Sequence, residues 1–374
     1  MPVEIKFKNL PAGYAETATR IGEKASVSLS GFFSSEDGDE LIKRLEGLPQ
    51  QIISLIPSSE LILPSTIHTL LALIRKDKSA TVYLNEAKLI GEVRVKGPIK
   101  KGDLIYADHI LDMGKVTFEN IPIPPDVGII FVFSVGWRKG FFYDLAPLDK
   151  DAMGTRKYDV EALIGSFYSY LMFQERFKID EKTWANFFTQ KWFPFSYLDN
   201  NLLGEMISFA RENWNLDDLL SKIDDNVLRL LDKYELVDKS IPYVLEHQDI
   251  LERAIERFKA NDYVSCASIL YPRIEGLMRS FYRSEGYTEN IASKALSKTV
   301  VEHHKNKRIS YSLLLPEKFQ HYLDDVYFAH FVPGSLPDVG RHSVAHGEAR
   351  SDDFTKKSCV IAILTVYQLL LFFK

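Results

Sequence analysis

The segment Val339-Gly340-Arg341-His342-Ser343-Val344-Ala345-His346-Gly347 places an arginine five positions ahead of a histidine and brackets the pair with glycines. Arginine offers a permanent, planar cation that matches phosphate oxygens. Histidine offers a proton acceptor or donor that works near neutral pH. Together these groups suffice to cleave RNA without a metal. A ribose 2′-hydroxyl would attack its own phosphate, His346 would move the proton, and Arg341 would hold the charge that builds on phosphorus, leaving a 2′,3′-cyclic phosphate. His342 would orient the reacting groups or serve as a second proton-transfer group. On a regular helix a five-residue separation turns about 140° and climbs about 7.5 Å, so the pair needs help to converge. Gly340 and Gly347 can supply irregular backbone, and a second copy of the chain across a twofold interface can complete the cleft. The bland alternative is a surface loop that carries an incidental Arg and His.

Other candidates are secondary. Glu275 lies mid-helix and could orient Arg341 or His346, or be a satisfied polar residue on a helix edge. Lys294, Lys298, Lys305, Lys307 and Arg308 could contact an RNA backbone, although such a run is more often a solvated face. Glu302-His303-His304 could suggest a metal, but neighbouring helical residues point about 100° apart, so no metal site is expected. Phosphate-loop, dinucleotide, zinc-protease and nucleophile-elbow motifs are missing, and no cofactor is expected. A separate active site in the β-rich part would have only Asp108-His109 and Trp137-Arg138 to recommend it and ranks last.

The elements that must position the box follow from the pattern along 374 residues, 46% hydrophobic and 26% charged, enough for two or three domains. The net charge of -5 excludes a polycation that coats nucleic acid, so any such contact is local. Residues 1–75 show no clear periodicity beyond a short helix around Gly38 to Leu48. From Ala80, the runs TVYL, GEVRVKG, DLIYADHI, KVTFENI and GIIFVFSVGWRKGFFYDL predict an antiparallel sheet, with a hairpin turning near Gly136 to Gly140. After Pro147, apolar residues recur at helical spacing: Val160, Leu163, Ile164, Phe167, Leu171 and Phe173, then Leu202, Leu203, Met206, Ile207 and Phe209, then a helix over about 216–236. The expected fold is α+β. A mixed, β-rich region over 1–150, a candidate sensor, leads to a helical connector over 151–240 and a helical domain over 241–374.

That last third holds 17 basic and 16 acidic residues and seven of the nine histidines. Asn261-Asp262 should cap a helix with an apolar face of Val264, Ala267, Leu270, Ile274, Leu277, Met278 and Phe281, kinked by Pro272. Ser351-Asp352 should cap the terminal helix, whose stretch Cys359 to Phe373 is too short to span a bilayer and reads as buried. Two cysteines fit a reducing compartment, and MPVEIKFKNL lacks the apolar core of a signal peptide, so a cytoplasmic protein is expected.

The ILYPRIEGLMR helix, the R-H-S-V-A-H-G box and the apolar terminal helix together resemble the HEPN domain (higher eukaryotes and prokaryotes nucleotide-binding) over residues 241–374. The resemblance implies a helical bundle and a metal-independent endoribonuclease of prokaryotic toxin or antiviral defence type. It also implies a homodimer in which arginine and histidine of two protomers line one cleft. Arg341 and His346 match those positions, and His342 matches the polar residue that often follows the arginine. Some family toxins carry a tyrosine two residues after the box histidine, a target for silencing by a partner nucleotidyltransferase. Here Glu348 stands there, so that mode does not carry over. The resemblance also admits a catalytically silent module that binds nucleotides or other proteins. RNA and a second copy of the chain are the expected partners, with a regulatory ligand or protein on the N-terminal region and no membrane.

Overall fold

The computed structural model describes residues 2–57, 66–149, 155–233, 241–307, 310–329, 343–344, 347 and 349–373, with the side chains of 305–307 left aside. The chain forms an α+β protein that divides into two compact units. One comprises residues 1–92 and 114–172, the other residues 93–113 and 173–374.

The first unit is built on a six-stranded antiparallel sheet in the order β1-β6-β5-β9-β10-β4. Its strands are β1 (Val3–Lys6), β4 (Ser30–Ser34), β5 (Thr69–Ile74), β6 (Ser79–Leu84), β9 (Gly128–Val135) and β10 (Arg138–Asp144). Two short strands, β2 (Tyr14–Ala15) and β3 (Val27–Ser28), pair separately. The expected hairpin is β9–β10, turning at Gly136-Trp137 with Phe141 opposite Val132. Period-two alternation assigns the two faces. Ile130 and Val132 of β9, with Leu70, Ala72 and Ile74 of β5, share a core with Leu48, Ile52 and Ile53 of α2 (Leu48–Ser54) and Leu41 of α1 (Asp39–Glu46). Phe131 and Phe133 point to the opposite face, where Tyr168 of α3 (Val160–Met172) stacks on Phe133 at 4.6 Å and Phe167 stacks on Phe32 at 3.9 Å. Gly165 lets α3 approach a strand outside this sheet, Ile110–Phe118: a Cβ there would lie 2.0 Å from the Gly114 carbonyl oxygen.

Of the runs expected as strands, DLIYADHI is not one. It is an exposed connection ending in a single 3-10 turn, Ala107–His109, between β7 (Leu89–Val95) and β8 (Ile110–Phe118). Its residues are β-branched and aromatic, yet Leu104, Ile105 and Tyr106 face solvent. Composition alone misled there because no alternation separates a buried from an exposed face.

The second unit centres on a helix buried on all sides, α13 (Lys356–Phe372), from Ser358 to Phe372. Its polar interruptions are satisfied. Gln368 accepts from the Ser196 amide at 3.0 Å and donates to the Leu314 carbonyl at 3.2 Å, while Thr365 donates to the Ile361 carbonyl at 2.8 Å. Around it lie α4 (Gln174–Phe177), α5 (Glu181–Thr189), α6 (Asn200–Arg211), α7 (Leu220–Lys233), α8 (Pro242–Leu245), α9 (Gln248–Lys259), α10 (Tyr263–Ser284), α11 (Ser293–Lys307) and α12 (Pro316–Tyr322). Trp184, Met206 and Val227 from the expected connector enter the same apolar core as Leu270, Phe281 and Leu364, so 173–233 and 241–373 share one interior. The Arg94 guanidinium donates to the Leu371 carbonyl at 2.7 Å, and buried Asp112 accepts from the Leu313 amide at 2.9 Å and the Ser312 hydroxyl at 3.0 Å. Among the described residues no helix is long and apolar enough to cross a membrane.

Candidate nucleic-acid interface

Helix α10 is the element on which the site candidates depend. Asp262 caps it by accepting from the Ser265 amide at 3.1 Å. Ala267, Leu270, Ile274, Leu277, Met278 and Phe281 are buried as their spacing predicts, whereas Val264 is exposed. The helix continues through Pro272, which cannot donate to the Ser268 carbonyl one turn earlier. Pro272 therefore does not end it.

Glu275 on α10 is buried, and its Oε1 accepts from Arg279 Nε at 2.8 Å and Nη2 at 2.6 Å, one helical turn away. Arg279 also donates to Asn290 Oδ1 at 3.3 Å. A carboxylate held in an arginine fork is a fixed, oriented negative charge. Glu275 is thus satisfied by Arg279 within its own helix, as the second of its two readings has it, while Arg341 and His346, which the first reading would have it orient, lie outside the described residues.

The box residues Arg341, His342 and His346, with Gly340 and Glu348, lie outside the described residues, as do Arg308 and His330. Ser343 and Val344 are described. Both have helical backbone, Ser343 is buried and Val344 packs on the apolar core of the unit. Gly347 has φ +70°, the left-handed region that favours glycine, and its amide bonds back to the Val344 carbonyl at 3.3 Å. The Ala349 amide bonds back to the Ser343 carbonyl at 3.1 Å. The chain then forms a 3-10 turn over Ser351–Asp353, and α13 starts at Thr355, whose hydroxyl accepts from the Ser358 amide at 3.3 Å. Thr355, rather than Ser351-Asp352, is the cap, because its reciprocal bond with Ser358 closes the first turn.

Lys294 and Lys298 are exposed on α11, and Lys298 pairs with Glu302 at 3.6 Å. Lys305 and Lys307 occupy the last turn of α11, outside the described side chains. The adjacent histidines turn to different partners. His303 faces Glu285 at 3.1 Å, whereas His304 is buried with its ring 4.9 Å from that of Phe372 and its Nε2 3.4 Å from the Ser312 hydroxyl. Asp108-His109 belongs to the helical unit and Trp137-Arg138 to the sheet unit. Arg138 donates to the Leu171 carbonyl at 3.1 Å and covers the Trp137 ring at 5.0 Å.

Sequence reasoning missed a cationic cluster along one edge of α10. His247 Nε2 lies 2.9 Å from the Ser280 hydroxyl, which also accepts from Arg283 at 3.2 Å, and Arg273 Nη1 lies 3.5 Å from His247 Nδ1. Gly276 makes the room, since a Cβ there would be 3.4 Å from the imidazole. Burial, then the Arg273 charge, hold His247 below the usual histidine range, so it is neutral at pH 7. The spacing 273, 276, 280, 283 is a helical edge, but His247 comes from the residue ahead of α9 and no local pattern announces it. No family model, curated protein or solved structure matches the chain.

Proposed function

We propose that the protein is a metal-independent endoribonuclease of HEPN type, of prokaryotic toxin or antiviral defence character, acting as a homodimer. Arg341 clamps the phosphate, His346 is the general acid or base, and His342 orients the reacting groups or moves a second proton. The observation that carries this reading is the placement of two described residues of the box, Ser343 and Val344. Its Ser343 is buried and its Val344 sits on the core of the helical unit, just ahead of a left-handed glycine. A catalytic element needs packed residues beside its reacting groups, and Ser343 and Val344 are such residues between Arg341 and His346 in sequence. Glu275, whose carboxylate is held by Arg279 on α10, is the residue assigned to orient Arg341 or His346.

The test is incubation of labelled single-stranded RNA in EDTA with wild type, Arg341→Ala and His346→Ala. Wild type cleaves and each variant loses at least about a hundredfold in rate, the usual worth of a positioned proton-transfer or charge-stabilising group. Cleavage that persists in both variants, or that needs a divalent ion, would overturn the mechanism. Wild type that binds RNA without cutting it would leave the silent binding module as the better description.

A further inference from the structure

A cleft of about 420 Å³ opens within the helical unit, between the β7–β8 connection, the residues ahead of α6, and α7. Lys96, Arg229 and Lys233 bring positive charge to its lining from two separate elements. Arg229 pairs with Asp199 at 3.1 Å, but among the described residues neither Lys96 nor Lys233 has a carboxylate at ion-pair distance. Lys96 is held in place by its amide, which donates to the His109 carbonyl at 2.8 Å, and its Nζ donates to the Leu198 carbonyl at 2.6 Å. That carbonyl is a neutral acceptor, so the ammonium is partly desolvated without a direct ion pair among the described residues. Burial first, and then the neighbouring Arg176, draw its pKa down to about 8. The charged groups facing Lys96 are Arg176 of α4, Asp108 of the β7–β8 connection and Asp199 ahead of α6, and His109 lines the same cleft.

Arg176 repeats the pattern one layer deeper. It is buried, donates to Asn200 Oδ1 through one nitrogen, and keeps Nη1 without a partner among the described residues. Asp108 acts on both cations, with Asp199 beside Lys96 and Asp112 beside Arg176. Yet among the described residues neither cation has a carboxylate at ion-pair distance, and taking a cation from water without one is costly. The β7–β8 connection that supplies Lys96 also brings Asp103 and Asp108 to the lining. These carboxylates already accept backbone bonds, from the Lys100 amide at 2.9 Å and the Asn200 amide at 2.8 Å, and each keeps lone pairs for hydroxyl donors. They would repel a second anionic group. The volume exceeds what a bare phosphate fills and lies within the range of small-ligand sites.

We propose that this cleft binds a phosphate monoester with a neutral, hydroxyl-bearing body: the phosphate lies among Lys96, Arg229 and Lys233, and the hydroxyls face Asp103 and Asp108. A phosphate monoester brings nearly two negative charges on one end, which suits three cations converging from two elements better than a single carboxylate does.

Isothermal titration of the full chain with ribose 5-phosphate tests this, with ribose and inorganic phosphate as separate arms. Ribose 5-phosphate binds at least tenfold more tightly than either fragment, and Lys96→Met and Lys233→Gln each weaken it at least tenfold. Raising the pH from 7 to 9 also weakens it, because Lys96 loses the proton that the bound anion requires. Lys233 is exposed at the end of α7, so its variant carries the test should Lys96→Met fail to fold. No measurable binding, affinity no better than that of inorganic phosphate, or affinity unchanged by the substitutions would overturn the proposal. The readout is heat of binding, independent of RNA cleavage.

Discussion

Arg156→Met tests how the sheet unit is held together. The Arg156 and Asp144 side chains are each only 2% exposed, and Nε meets Oδ2 at 2.6 Å. Arg156 also donates to the Val127 carbonyl at 2.9 Å and the Pro124 carbonyl at 3.3 Å, tying the loop before β9 to the end of β10. Asp144 accepts from the Tyr158 hydroxyl at 2.6 Å and the Ala146 amide at 3.1 Å. Removing the guanidinium leaves a buried carboxylate with two neutral donors and strips two carbonyls of a partner. Breaking one side of a buried pair in this way costs about 3–5 kcal/mol. Where exchange follows unfolding of the unit, each ~1.4 kcal/mol is a factor of ten, so amide protection in β9 and β10 should fall about a hundredfold to a few thousandfold. Hydrogen exchange with mass spectrometry on peptides covering 128–144 reads this without interference from the helical unit. Asp144→Asn combined with Arg156→Met removes both charges while keeping an acceptor for Tyr158, and it should recover at least tenfold of the protection. A loss below tenfold in Arg156→Met, or a double variant as damaged as the single one, would refute the reasoning.

Further outcomes follow from the same packing. Gly165→Ala pushes a methyl into the Gly114 carbonyl, 2.0 Å from where it would sit, and should cost about 3 kcal/mol, read as faster exchange in α3; wild-type protection there would contradict the close approach. Gln368→Leu orphans the Ser196 amide and the Leu314 carbonyl in the core of the helical unit and should cost about 2–4 kcal/mol in thermal unfolding, whereas an unchanged melting temperature would remove the role assigned to this side chain. His247 has a folded-state pKa below its unfolded value of about 6.5, so its contribution to stability is present above that pH and is lost as the pH falls through the folded-state value. His247→Gln should flatten the decline in urea stability between pH 7 and pH 5, and an unaltered slope would show that the titrating group lies elsewhere.

What the sequence disclosed were local signals. Helical spacing located the apolar face of α10, the aromatic runs around Gly136 located the β9–β10 hairpin, and an apolar stretch broken only by Thr365 and Gln368 announced a helix with no solvent face. What stayed hidden was set by distant partners. Strands β1 and β4 are four and five residues long and gain their identity only from pairing with β6 and β10, so the first 75 residues showed no period. Asp112 looks ordinary in its strand, yet its buried carboxylate is matched by Ser312 and Leu313, about two hundred positions later. The cleft around Lys96 draws its walls from three separate stretches, and none of them carries a motif. Asp108-His109 was visible as a dipeptide, but only folding gives it Lys96 and Asp199 as neighbours.

The central claim is that one arginine and one histidine cut RNA by internal attack of the 2′-hydroxyl. Its most direct measurement is the chemical identity of the new 3′ end, read by mass spectrometry after wild-type protein acts on a short oligoribonucleotide in EDTA, beside the same oligonucleotide with a 2′-deoxy residue at the cut position. The account predicts a 2′,3′-cyclic phosphate and no cutting at the deoxy position. A 3′-hydroxyl end, or cleavage at the deoxy position, would contradict it.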